Sequence, residues 1–478
     1  MLTVYFEKTS KTPMYRQLYQ HIKKEIENGG LSAGEKMPSK RKLSAHLKIS
    51  PITVDAAYQQ LVVEGYLLAK PKSGYYVESY EQGFLWKKTP KKPDLSSKIP
   101  PENDYLYDFQ TNVVDYQLFP NTTWAKLGRE VLAENNAPVM NQNDPQGLDL
   151  LRQSIADYLY RFRGIAAHPD QIVIGGGSES LLNLIVPLLG RTALYAIENP
   201  GYRRIKDILK SQDVNINYVG LDEQGLIVSE LNASGANIVH VTPSHQFPMG
   251  IVMPIKRRME LLAWATAAYD RFILEDDYDS EFRFQGQPIP ALQSLDRFGK
   301  VIYINSFSKS LAPSLRINYM VLPWELLKKY RELLTFHVCS VPNFEQYALY
   351  KFMDGGYFER HLNRMRNAYK SRLDVLVRAL EKVGMAGLMS IKGSESGLHF
   401  LLEVHNGLCE AELVTRAKKL GVRVHGLSEY YFASKDQAPK ETVVIGYSAL
   451  TENSIEKAVV LLGKAWKIPS DHAQEKQL

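Results

Sequence analysis

Cysteine is nearly absent from this chain, and so is any long apolar run. Among 478 residues only Cys339 and Cys409 are cysteines, far apart and without CxxC spacing. That pattern argues against a disulfide framework or a thiolate metal site and fits a reducing cytoplasm, and no metal is expected. The opening MLTVYFEKTSK lacks the apolar core of a signal peptide. The greasiest stretch, Leu181 to Leu189, is about half as long as a membrane span requires. A cytoplasmic protein without membrane contact is expected. Charge of one sign is lacking overall: 58 basic against 52 acidic residues leave a formal net of +6. Its distribution is uneven, however. Residues 1–98 carry 17 basic and 9 acidic residues, a net of +8, while the rest carries 41 against 43, a net of −2. A small basic head on a near-neutral body suggests that a polyanion is met at one end only.

At this length one hydrophobic core does not suffice, and two or three domains are expected. Residues 1–78 read as three helices and a hairpin. Met14, Leu18, Ile22 and Ile26 recur at four-residue spacing on one helix face. Ser39 caps a second helix, and Ser50 caps a third with Pro51 at its first position, where a missing N–H is harmless. Val54, Ala57, Tyr58, Leu61 and Val62 form the third helix's apolar face, and Gly65 ends it. Tyr66 to Ala69, a Lys70-Pro71-Lys72-Ser73-Gly74 turn and Tyr75 to Val77 make a short hairpin with a basic tip. Residues 79–104 are Lys-, Pro- and Ser-rich and read as a linker. From residue 105 onward short apolar runs alternate with helical stretches: Ile172–Ile174, Leu194–Ile197, Ile238–Val241, Phe272–Leu274 and Val301–Ile304. Strands apolar on both faces and separated by helices indicate an α/β domain with a mainly parallel sheet over 105–324. Residues 325–470 read as a smaller α+β lobe.

In a helix-turn-helix the second helix of the motif enters the major groove of double-stranded DNA. Ser39, Lys40 and Arg41 are placed for phosphates, Thr53 for base edges, and Lys70 and Lys72 for the flanking backbone or minor groove. The stretch PMYRQLYQHIKKEI through PSKR, the Thr-x-x-x-x-Tyr-x-x-Leu helix, EGY and the glycine-tipped wing resembles the GntR family of winged helix-turn-helix regulators. One departure stands out. The family commonly has an Arg-Asn or Arg-Pro-type pair after the turn serine, where this chain has Pro51-Ile52.

The body offers the parts of a pyridoxal 5'-phosphate (PLP) site, each following an expected strand, where α/β folds bind ligands. Lys309 in SFSKS supplies a Schiff-base lysine with hydroxyls around it, and Arg316 lies seven residues on, suited to a phosphate. Glu275-Asp276-Asp277-Tyr278 offers a carboxylate for the pyridine nitrogen and a tyrosine for the phenolic oxygen. Gly175-Gly176-Gly177-Ser178 opens a helix whose backbone N–H groups suit an anion. ENPGYRR supplies Tyr202, an aromatic ring to stack on the cofactor.

Together with TPSHQFPMG and DPQGLDLLRQSIADYLYRFRG, these segments resemble fold-type I aminotransferases. Fusion to the GntR-like head resembles the MocR/GabR family. That resemblance implies Lys309 as the cofactor lysine, Asp276 at the pyridine nitrogen, Tyr278 at the phenolic oxygen and Tyr202 over the ring. It assigns Gly177, Ser178, Ser306, Ser308 and Arg316 to the phosphate, and implies a homodimer with domain-swapped heads. Two departures bear on what the body does. Ala449 stands where the family's substrate-gripping arginine would fall, and Gln246-Phe247-Pro248 replaces the aminotransferase asparagine motif. Arg204, matching the GABA sensor's other carboxylate-binding arginine, is kept. The expectation is a PLP-dependent transcription regulator without net turnover, controlling vitamin B6 or amino-acid metabolism genes. Its effector is PLP itself or an amino compound held on PLP next to Arg204. The alternative is an active aminotransferase with an ancillary head.

Overall fold

In this computed structural model the described residues are 4–7, 12–79, 105–111, 113–133, 137–141, 144–284, 289–334, 336–433 and 438–467. The chain divides into two units, Met1–Glu102 and Asn103–Leu478. The Lys/Pro/Ser-rich segment expected as a linker at 79–104 lies outside the described residues apart from Ser79.

The first unit contains helices α1 (Met14–Glu27), α2 (Lys40–Leu47) and α3 (Pro51–Val63) and strands β1 (Leu67–Lys70) and β2 (Gly74–Val77). Leu18, Ile22 and Ile26 of α1 are fully buried against Val54, Ala57, Tyr58 and Leu61 of α3. Met14 is not part of that core. It is the first residue of α1 and exposed, because the helix begins one turn before the packed face does. Ser39 and Ser50 accept hydrogen bonds from the amides of Lys42 (3.2 Å) and Thr53 (3.1 Å), satisfying N–H groups that a helix start leaves orphaned. Between these helices Lys48 takes the left-handed conformation, which turns the chain tightly. β1 and β2 pair antiparallel from Leu67↔Val77 to Lys70↔Gly74, and Leu67 and Val77 join the helical core.

The second unit is built on an eight-stranded sheet. Its order is Ile172–Gly175, Asn318–Val321, Val301–Ser306, Phe272–Asp277, Ile238–Val241, Leu194–Asn199, Asn215–Asp222 and Gly225–Leu226. The five expected strands are all present, and those from Val301–Ser306 to Asn215–Asp222 pair parallel. Asn318–Val321 runs antiparallel between Val301–Ser306 and Ile172–Gly175. Both faces are covered, as double-sided apolar strands require.

The two helices that follow residue 323 pack on the large sheet. Trp324–Leu333 puts Leu326, Leu327 and Tyr330 into the core under the large sheet, and Asn343–Asp354 puts Leu349 and Phe352 into the core on its other face. The lobe core gathers from Met365 of the helix Tyr357–Leu380 onward, around the sheet Met389–Lys392, His399–Val404, Thr442–Gly446 and His425–Gly426. It also takes in Phe109, and Tyr107–Asp108 pairs with Val422–Arg423. The segment opening the body is thus part of the small lobe. Amphipathic helices give no sign in sequence of which of two adjacent cores receives their apolar stripe.

Candidate functional site

On the head, α3 is the helix that a helix-turn-helix lays in the major groove. Arg41, Lys70 and Lys72 are exposed, with Lys72 at the hairpin tip in the left-handed conformation. Lys40 is already engaged: its ammonium lies 2.8 Å from Asp55, tying α2 to α3. The Thr53 hydroxyl lies 2.9 Å from that of Ser50, within the cap of α3. Ser39 is likewise occupied as a cap. Of the DNA-facing residues expected from sequence, the cations Arg41, Lys70 and Lys72 therefore stand out at the surface. Lys40 meets a phosphate only by sharing itself with Asp55. Ile52, at the second position of α3, is 80% exposed.

In the body, loops at the carboxyl ends of the parallel strands and of Ile172–Gly175 converge on one cavity of about 180 Å³. Its lining includes Ser178, Tyr202, Thr242, Asp276, Tyr278, Ser306, Ser308, Lys309 and Arg316. Strand alternation explains how the acidic run EDDY contributes. Asp276 and Tyr278, two residues apart, both reach the cavity, while Glu275 and Asp277 point into the core. There Glu275 accepts the amides of Leu292 and Gln293, both at 2.7 Å, and Asp277 pairs with Arg163 at 2.8 Å.

Lys309 is 9% exposed, and its Nζ donates to the carbonyl of Thr111 at 3.1 Å. Burial pushes its pKa down to about 8, with the negative charge of Asp279 pulling the other way. A buried lysine that sheds its proton near neutrality is a competent nucleophile toward an aldehyde. Asp276 Oδ2 lies 3.3 Å from His240 Nε2. Tyr278 Oη lies 3.2 Å from His245 Nδ1, which is in turn 2.9 Å from Asp279 Oδ2. Burial raises the phenol of Tyr278 well above its ordinary value, with Asp279 and Asp276 adding to the effect. Tyr202 packs edge-on against Phe247, ring centroids 5.5 Å apart.

Gly177 caps the helix Ser178–Leu189 at φ +113°, and a Cβ placed there would fall 2.0 Å from Arg316 Nη2. Only glycine lets that loop and guanidinium approach so closely. Arg316, itself left-handed, donates to Gly176 O at 3.1 Å and to Glu179 Oε2 at 2.6 Å. The other oxygen of Glu179 bonds Arg204. The Ser178 hydroxyl accepts from Asn318 at 3.3 Å, and the Ser306 hydroxyl accepts from the Ser308 amide at 2.9 Å. A glycine cradle, two arginines and three serine hydroxyls beside a buried, readily deprotonated lysine fit a phosphorylated aldehyde cofactor.

Glu179, Thr242, Phe247 and Asn318 also line the cavity, and sequence reasoning did not select them. Glu179 sits in the glycine-serine turn that was selected, but its partners come from residues 204 and 316. Nothing local signals that meeting. Thr111 contributes a backbone carbonyl, which leaves no trace in residue type.

Residues 14–77 match the model of the bacterial regulatory proteins of the gntR family, and residues 104–459 that of aminotransferase class I and II. The protein is a helix-turn-helix transcription regulator whose body is a PLP-binding aminotransferase-like domain. It belongs to the MocR type of GntR-family regulators. It is 37% identical to the HTH-type transcriptional regulator YdeL of Bacillus subtilis, covering 98% of this chain and all of the relative. It is 30% identical to the pyridoxine biosynthesis transcriptional regulator PdxR of Corynebacterium glutamicum, over 93% of this chain and 94% of that one. The kynurenine aminotransferase structure of Pyrococcus horikoshii matches with TM-score 0.66 and 25% identity, covering 79% of this chain and 93% of that one. Among the described residues no helix is long and apolar enough to cross a membrane.

Proposed function

We propose that the body senses PLP, alone or carrying an amino compound, and that this sets the affinity of the head for its operator in the cytoplasm. The observation that carries the reading is the convergence of Lys309, Asp276, Tyr278, Tyr202 and Arg316 on one cavity at the strand ends. In this reading Lys309 holds the cofactor aldehyde, Asp276 faces the pyridine nitrogen and Tyr278 the phenolic oxygen. Tyr202 covers the ring, and Arg316, Ser178, Ser306, Ser308 and the Gly177 turn hold the phosphate. PLP supplies an electron sink when bound; Ala449, where the family's substrate arginine falls, favours sensing over turnover.

Lys309 also offers a route for the signal. Its bond to Thr111 O lies seven residues after the linker segment that leads from the head. A lysine committed to the cofactor cannot donate to Thr111 as its ammonium does. Cofactor capture therefore changes a contact of the segment through which the body joins the head. The regulator works as a homodimer with swapped heads in this reading, on genes of vitamin B6 or amino-acid metabolism.

The test is a titration of the full chain on its own upstream DNA, with and without PLP and then with amines. DNA affinity should change with PLP, and a cofactor absorption band should appear in the near ultraviolet or visible and vanish in Lys309→Ala. DNA affinity indifferent to PLP and to every amine tried would defeat the proposal.

A further inference from the structure

The carboxylate of Glu179 stands between the two arginines that line the cavity among the described residues. One oxygen takes Arg316 and the other takes Arg204, so a single anion serves both. Burial works against the charge, yet Arg316 and Arg204 overcome it and hold the Glu179 pKa down to about 2. With both arginines in place Glu179 is ionised near neutrality. The arrangement has a consequence for ligands. Arg316, once engaged by a phosphate dianion, is no partner for a neighbouring carboxylate, which like charge repels. Glu179 is then left to Arg204 alone.

On this basis we propose that Glu179 selects the effector by reserving Arg204, so that the cavity accepts amines without an acidic group and disfavours amino acids. The proposal rests on the cofactor reading given above. A carboxylate entering the site must displace Glu179 from Arg204, because Arg316, the other arginine that lines the cavity among the described residues, is taken by the phosphate. An amine with an apolar or hydroxyl-bearing tail has no such competitor. A second consequence concerns the cofactor. Glu179 and the phosphate compete for Arg316, so removing the Glu179 charge tightens PLP binding.

The experiment uses the PLP-loaded full chain and two probes of equal length, butylamine and 4-aminobutyrate, read by the shift of the cofactor absorption band. Wild type should bind butylamine at least about tenfold more tightly. Glu179→Gln and Glu179→Ala should each improve 4-aminobutyrate about ten- to a hundredfold, the range a freed charge-assisted bond provides. Butylamine should stay within about threefold. The gain should disappear in Glu179→Gln combined with Arg204→Gln. PLP affinity, measured separately by absorbance, should rise severalfold in Glu179→Gln. A wild type that prefers 4-aminobutyrate, or a probe ratio unchanged in both Glu179 variants, would overturn the proposal. Failure of the cofactor reading looks different: no band forms in wild type, or it persists in Lys309→Ala.

Discussion

Substituting alanine for Gly177 probes the cofactor seat more directly than removing a charged residue, because it adds one methyl group at a defined place. Two costs follow. The residue sits at φ +113°, where an L side chain is strained by roughly 1–3 kcal/mol. The added Cβ would also lie 2.0 Å from Arg316 Nη2, 2.6 Å from its Cζ and 2.9 Å from Glu179 Oε2. The guanidinium must move by more than an ångström, away from the place beside the glycine turn where it would meet the phosphate. A lost charge-assisted bond is worth about 1.5–3 kcal/mol, so PLP should bind about ten- to a hundredfold more weakly. Gly190 is a matched control at the other end of the same helix. It lies at φ +104° with nothing within 4 Å of its built Cβ, so Gly190→Ala carries the backbone strain without the clash. Both variants should lose a few degrees of thermal stability, and only Gly177→Ala should lose PLP affinity by absorbance titration. Equal weakening in both, or unchanged binding in Gly177→Ala, would refute the argument that Arg316 and the glycine turn form one phosphate seat.

Other expectations follow from the charges. Lys309 is protonated below its depressed pKa of about 8, so the rate of PLP capture should climb about tenfold per pH unit up to that point and then level. Asp279→Asn removes the charge that holds this proton on and should move the break to lower pH. Burial, with Asp277 adding to it, raises Glu281 to about 7, so the native state binds a proton that the unfolded state releases near pH 4.5. Stability from this group is present below about 4.5 and falls as pH rises through about 7. Glu281→Gln should flatten that decline in melting experiments between pH 5 and 8; an unchanged slope would count against it. On the head, Asp55→Asn frees Lys40 and should tighten binding to all DNA sequences alike, with a steeper salt dependence. Arg41→Ala should weaken binding uniformly and reduce the salt slope by about one, and a loss confined to one sequence would contradict a phosphate role.

What the sequence could and could not reveal divides along a physical line. The five strands of the large sheet were legible because burial on both faces demands unbroken apolar runs, and loops at their carboxyl ends were the natural place for a ligand. Asp276 and Tyr278 were legible for the same reason, since both lie at the carboxyl end of such a strand. The fate of Glu275 and Asp277 was not: a shift of one residue in where the strand ends would exchange the two faces, and only the fold fixes that register. Glu179 is the sharper case. Its neighbours in sequence read as a plain anion-binding turn, and the glutamate itself as a first-turn acid that favours a helix start. Its meaning comes from Arg204 and Arg316, brought to it from 25 and 137 residues away. The kept Arg204 had pointed toward a carboxylate effector. With Glu179 already on that arginine, the same residue argues the other way, because a cation that is paired within the protein attracts an outside anion only by what remains after the exchange.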